Sequence, residues 1–320
     1  TMYNKSFGTF TYEDEKAVST NDIYDLASLS KTTGTLLAVM KLYDNGRFNL
    51  SDPIGDYLPF LKGTNKAKIT IRELLLHQSG LPSGLVFYQD AIDKKSYKGS
   101  LFKGSKDALH TVQIGPKTFA QPGFRFKEGL TSAVGGGDYT LHVADSLWLH
   151  KSFRDVMLKK IAVAPLKGKK YVYSCLNFIL LQQLVEQLAG VPMDEFLTRE
   201  FYRPMNLSRT AYLPLRYFRK ENIVPSSVDR FLRKETLQGF VHDESAAFLG
   251  GISGNAGLFS TAYEVSQVYQ MLLNGGEYEG QRYLSKETCQ LFTTETSKIS
   301  RRGLGFDKPD AEDVGSSPCA

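Results

Sequence analysis

Two positions near the start of the chain, Ser28 and Lys31, have the residue types and the spacing for nucleophilic catalysis. A serine hydroxyl is a weak nucleophile until a neighbouring base takes its proton, and an amine can be that base. The residues that follow read as helix, and helix positions i and i+3 share a face, so hydroxyl and amine would meet at the first turn. The pattern recurs at Ser100 and Lys103. That copy lies in a Lys-, Gly- and Ser-rich stretch with no apolar helix behind it, and it serves as an internal control. A lysine of ordinary pKa, ~10.4, is a poor base at neutral pH. Burial, a nearby cation, or a tyrosine that shares the proton would help it. Two tyrosines compete for that role. Tyr43 lies fifteen residues along the predicted helix, or ~22 Å from Ser28 at 1.5 Å per residue, and cannot reach. Tyr173 stands at the entrance of a strongly apolar helix and is the candidate. A Ser-His-Asp hydrolase usually carries Gly-x-Ser-x-Gly at its nucleophile, and no such pentapeptide occurs.

The elements that must position these residues are legible in part. Residues 7–12 are aromatic and β-prone, which predicts a strand. Residues 25–43 read as one helix, apolar on more than one face and therefore buried, with Asn45-Gly46 as its stop. Thr70-Ile71-Arg72-Glu73 is a capping box, with Gly80 and Pro82 past the following helix. Residues 83–170, with three consecutive glycines at 135–137, predict short helices and long surface loops. Residues 178–189 read as a helix ended by Gly190, and Pro192 opens the next. Residues 258–260 read as a short buried strand. Thr261 with Glu264 reads as a second capping box, and Ser285 as the cap of a last short helix. The tail after Gly303 shows no element.

Composition excludes several classes. The chain has 320 residues, 42% of them apolar, enough for a core and for one large or two ordinary domains. A net charge of +5 with mixed signs and no basic-aromatic stripe gives no case for nucleic acid. Three widely spaced cysteines, Cys175, Cys289 and Cys319, make neither a disulfide framework nor a zinc ribbon. The five histidines form no His-Glu-x-x-His. No apolar run approaches the ~20 residues of a membrane helix.

Four segments in order resemble the serine β-lactamase-related family, which includes class C β-lactamases, D-alanyl-D-alanine carboxypeptidases and β-lactamase-fold esterases. They are residues 24–31, which follow Phe-Asp-Leu-Ala-Ser-Leu-Ser/Thr-Lys, and residues 73–82, which follow Glu-Leu-Leu-x-His-x-Ser-Gly-Leu-Pro. Tyr173-Ser174-Cys175 stands for Tyr-Ser-Asn/Asp, and residues 254–261 for Gly-His-Ala-Gly-Leu-Phe-Ser-Thr. The resemblance implies an α/β (α+β) fold, an antiparallel sheet flanked by helices with a mostly helical insertion. Residues 1–61 and 238–320 would form the sheet domain and 62–237 the insertion. It implies Ser28 as nucleophile, Lys31 as base and Tyr173 as shared acid/base, with no cofactor and no metal. The Ser28 N–H would give one oxyanion donor. Cys175, Asn255 and Gly257 are the expected substrate-binding positions. The substrate would be an ester, a β-lactam or a D-amino-acid peptide of peptidoglycan type, met in the bacterial periplasm or envelope.

Three departures stand out. Cys175 replaces an Asn or Asp that contacts lysine or substrate, and a thiol is a weak substitute. Asn255 replaces a frequent His. No Lys-Thr-Gly or His-Thr-Gly follows the last helix, and Ala320 comes where that strand is expected to begin, so the sequence reads as a fragment lacking its C-terminal strands. The alternative reading is a catalytically impaired binding or accessory domain on the same fold. His77 is read as structural, fixing the loop at a helix end.

Overall fold

A computed structural model describes residues 3–294 and 297–309. Cys319 and the last residues lie outside that range.

A small antiparallel sheet carries the Ser28 segment. Its strands are Tyr24–Asp25, Leu258–Ser260 and Ala211–Tyr212, with Leu258–Ser260 in the middle. Tyr24 pairs with Ser260 and Asp25 with Phe259, while Leu258 faces Tyr212. The central strand is buried throughout, as its Leu-Phe-Ser run predicts. Ala211–Tyr212 lies inside the range expected for the insertion, yet it pairs in this sheet.

The first helix differs from its prediction. Residues 25–43 are not one helix: Tyr24–Asp25 is strand, Ala27–Leu29 a 3-10 turn, Lys31–Thr35 a π turn, and only Leu36–Asp44 is α-helical. The reason lies at the start of the segment. Asp25 is paired to Phe259, and its carboxylate accepts the Ala27 N–H at 2.8 Å. Ala27 then sits at φ +45, outside the helical region. From Leu36 onward the helix is buried nearly all round, with Leu36, Leu37, Val39, Met40 and Leu42 in the core. Each such side chain contributes about 1.5–3 kcal/mol of transfer free energy. Tyr43 packs edge-on against Phe292, away from Ser28.

This helix packs on Cys175–Ala189 and on Lys286–Thr294. Cys175–Ala189 ends at Gly190 in the left-handed region, φ +71, as its glycine predicts. The Thr70–Glu73 capping box is present in both directions. The second box is half formed. Thr261 accepts the Glu264 N–H, but the Glu264 carboxylate turns to the Arg209 N–H and the Thr210 hydroxyl instead.

Two regions depart further. Residues 7–12 form no strand: Gly8 turns at φ +81, and the segment keeps a single bridge, Thr9 to Ala17. Residues 83–170 hold two three-stranded antiparallel sheets rather than short helices and loops alone. One is Phe102–Lys103, Val112–Gly115 and Thr118–Ala120. The other is Thr131–Ser132, Tyr139–Ala144 and Leu147–His150, followed by the helix Phe153–Val163. Among the described residues no helix is long and apolar enough to cross a membrane.

Candidate active site

Ser28, Lys31 and Tyr173 line one cleft of about 400 Å³. Ser28 is exposed on the 3-10 turn, and the π turn behind it carries Lys31 back beneath it. Lys31 Nζ lies 3.0 Å from Ser28 Oγ, with the Lys31 side chain only 3% exposed. Its second contact is the Asn255 carbonyl oxygen at 2.8 Å, and no carboxylate pairs with it among the described residues. The aromatic rings of Tyr173 and Phe178 close its surroundings, with centroids 5.2 and 5.9 Å from Nζ.

The turn is latched to the central strand at several points. Leu26 N–H donates to Leu258 O, and Leu258 N–H donates to Ser30 Oγ, both at 3.0 Å. Thr35 Oγ1 donates to Gly254 O at 2.8 Å. Asp25 ties the turn to the next loop by accepting the His242 N–H at 2.7 Å, and burial pushes its carboxyl above the usual range. Gly254 is obligatory in this frame. A Cβ there would stand 1.9 Å from Phe178 O.

The three positions expected to bind substrate do not line the cleft. Cys175 opens its helix, half-buried, with its N–H on Ser83 O. Two residues on, Asn177 takes the inward position, accepting the Ser79 hydroxyl at 2.6 Å and approaching His77 Nδ1 at 3.2 Å. Asn255 meets Lys31 through its backbone. Its side chain is occupied within the loop, by the Ser253 hydroxyl at 2.6 Å and by Asp243 at 3.0 Å. Gly257, at φ +110, lets the chain pass close to Gly251 O, where a Cβ would stand at 2.3 Å.

Sequence reasoning missed the opposite wall. Gly305, Phe306 and Asp307 come from the tail read as featureless, Arg302 from just before it, and Tyr269 from the helix Ala262–Leu273. Arg302 is 7% exposed, its guanidinium carbon 5.4 Å from the Tyr173 ring centroid, and its Nε donates to Tyr171 OH at 3.3 Å. Asp307 is bound by Arg301 at 2.9 Å, which holds its carboxyl below the usual range, and it stands 4.0 Å from Arg302. Tyr269 OH shares a 2.6 Å hydrogen bond with Thr32, and burial raises its pKa. The signal in the sequence was slight, two adjacent arginines before a Gly-Leu-Gly.

A model of the Beta-lactamase family matches residues 1–311. The chain belongs to the Beta-lactamase family. Within curated sequences it is 28% identical to an Escherichia coli K12 protein named "Putative D-alanyl-D-alanine carboxypeptidase", over 93% of this chain and 62% of the relative. It is also 28% identical to "N-acetylmuramyl-L-alanine amidase" of Bacillus subtilis 168, over 95% of this chain and 62% of the relative. The chain thus spans about three fifths of the length of these relatives. Among solved structures, the octameric penicillin-binding protein homologue from Pyrococcus abyssi superposes with a TM-score of 0.59 at 17% identity, covering 93% of this chain and 56% of that one. The fold is therefore that of the β-lactamases and penicillin-binding proteins.

Proposed function

We propose that the chain acts as a serine hydrolase that forms an acyl-enzyme at Ser28. The observation that carries this reading is the Ser28 Oγ–Lys31 Nζ contact of 3.0 Å, made by an exposed hydroxyl and a buried amine with no carboxylate partner among the described residues. An activated serine needs a base within hydrogen-bond reach, and this geometry meets that need. Lys31, assisted by Tyr173, takes the hydroxyl proton as Oγ attacks the carbonyl carbon of an ester or amide. The Ser28 N–H donates to the developing oxyanion. The proton then passes to the leaving group as the C–O or C–N bond breaks. Water, deprotonated by the same pair, attacks the acyl-enzyme and frees Ser28.

The substrate is an ester, a β-lactam or a D-amino-acid peptide of peptidoglycan type. Names of the relatives, a carboxypeptidase and an amidase, favour the last. Arg302 supports a substrate bearing a carboxylate, because it brings a guanidinium to the same cleft. Labelling by a fluorophosphonate or a penicillin, read by intact mass, tests the nucleophile. Relative turnover of a chromogenic cephalosporin and a nitrophenyl ester then sorts the substrate class. Folded wild-type protein that takes up neither label overturns the reading.

A second reading, a catalytically impaired binding domain, draws on one observation: the side chains of Cys175 and Asn255 stand away from the cleft. Folded protein that turns over neither the cephalosporin nor the nitrophenyl ester would favour it.

A further inference from the structure

The backbone on either side of Tyr173 is bound to one residue. Val172 N–H donates to His77 O at 2.9 Å, and Ser174 N–H donates to His77 Nδ1 at 3.0 Å. His77 thus presents a carbonyl and a ring nitrogen as a neighbouring strand would present two carbonyls. The Tyr173 ring lies over the imidazole, centroids 4.6 Å apart and planes 33° from parallel. The imidazole is itself held. Asn177 Nδ2 stands 3.2 Å from Nδ1, Phe178 packs at 5.5 Å between centroids, and the residue is 1% exposed.

His77 adopts φ +55, a conformation that non-glycine residues seldom take. The peptide there is turned so that both its carbonyl and its side chain address residues 172–174. An Nδ1 that accepts hydrogen bonds leaves the ring proton on Nε2, and Nε2 has no partner among the described residues. Burial, then the charges of Arg302 and Lys31, push the His77 pKa down to about 3. The ring is therefore a neutral acceptor at neutral pH.

We infer that His77 is the positioning residue for Tyr173: its carbonyl and Nδ1 fix the backbone on both sides of that tyrosine, and its ring backs the phenol, so that the Tyr173 ring is held in the cleft beside Lys31 and Ser28. The inference rests on the proposed role of Tyr173 in proton transfer. It goes beyond the fixing of a helix end, because it assigns His77 an effect on the rate through a second residue.

Two variants of the full chain test it. His77→Gly removes Nδ1 and the ring while easing the positive φ. His77→Asn restores an acceptor near the place of Nδ1 and tolerates the same φ. Both are compared with wild type and in a Tyr173→Phe background, by the rate of Ser28 labelling with a fluorophosphonate and by kcat and KM for p-nitrophenyl butyrate. His77→Gly is expected to lower kcat on the order of 100-fold, the scale of a misplaced catalytic group, with KM little changed. His77→Asn should recover most of that loss. In the Tyr173→Phe background His77→Gly should cost nothing further, because the two residues act through one group.

No loss in His77→Gly, an equal loss in both backgrounds, or no rescue by asparagine overturns the inference. Wild-type rates in Tyr173→Phe alone overturn the proposed role of Tyr173 instead, so the two failures are distinct. If thermal melting shows His77→Gly unfolded, His77→Asn against His77→Gln carries the test, since glutamine sets its amide one carbon too far out. Asparagine active and glutamine impaired at equal melting temperature supports the inference, and equal activity overturns it.

Discussion

The two Ser-x-x-Lys copies have the same spacing and opposite fates. At the first, a 3-10 turn runs into a π turn and brings Lys31 Nζ to 3.0 Å from Ser28 Oγ. At the second, Phe102–Lys103 is a strand, and in extended backbone residues three apart point to opposite faces. Ser100 Oγ instead donates to Phe102 O at 2.7 Å, and Lys103, half exposed, pairs with Asp107 at 2.7 Å. Each copy also has a histidine nearby. Burial drives His77 down to about 3, while the Ser100 carbonyl and then Asp107 raise His110. Spacing alone therefore does not make the pair. What makes it is a distant segment, whose Asn255 carbonyl and Gly254–Thr35 contact seat the turn.

The largest expected effect is on the base. Lys31→Ala should slow labelling of Ser28 on the order of 10³-fold, the scale of a lost general base. Lys103→Ala should leave both labelling rate and melting temperature at wild type. Next is the seat. Gly254→Ala forces a Cβ onto the Phe178 carbonyl and should cost about 3 kcal/mol in urea denaturation, at the upper end of overpacking costs.

The histidines sharpen the contrast through pH. His77 has its folded pKa, about 3, below its unfolded value of ~6.5, so the unfolded chain binds the extra proton. Its contribution is complete above pH ~6.5 and is lost as pH falls towards 3, amounting to about 2 kcal/mol already at pH 5. Urea midpoints measured from pH 7 to 4 should fall less steeply in His77→Asn than in wild type. His110 has the opposite sign. Its contribution is present below its ordinary pKa and is lost as pH rises through the raised one, so His110→Asn should alter the neutral rather than the acid limb. The smallest effect is expected beside the second copy. Gly104 has a Cβ site 3.9 Å from its nearest neighbour and no positive φ, so Gly104→Ala should stabilise by about 0.4–1 kcal/mol.

Local chemistry was legible in the sequence where local residues decide the structure. The Thr70–Glu73 box, the helix stop at Gly190 and the buried strand Leu258–Ser260 follow from their own side chains. Prediction failed where a distant partner decides. Tyr24–Asp25 becomes strand because Phe259 and Ser260 pair with it. Residues 7–12 have strand propensity but only a single bridge. The sheets within 102–150 form by pairing of short strands whose alternation is too weak to read. Glu264 has the spacing of a capping box, yet the backbone of Arg209 and the hydroxyl of Thr210 compete for its carboxylate. In the site, the Ser28–Lys31 pair was readable from its spacing together with the ordered segments around it, not from spacing alone. Arg302 and the backbone role of Asn255 were not, because each depends on how segments far apart in the chain meet.

The most direct measurement is peptide-level mass mapping after the folded chain is incubated with a fluorophosphonate probe. We predict one adduct, on the peptide carrying Ser28, absent from the peptide carrying Ser100 and lost in Ser28→Ala. A folded chain with no adduct, or an adduct that persists in Ser28→Ala, would contradict the account.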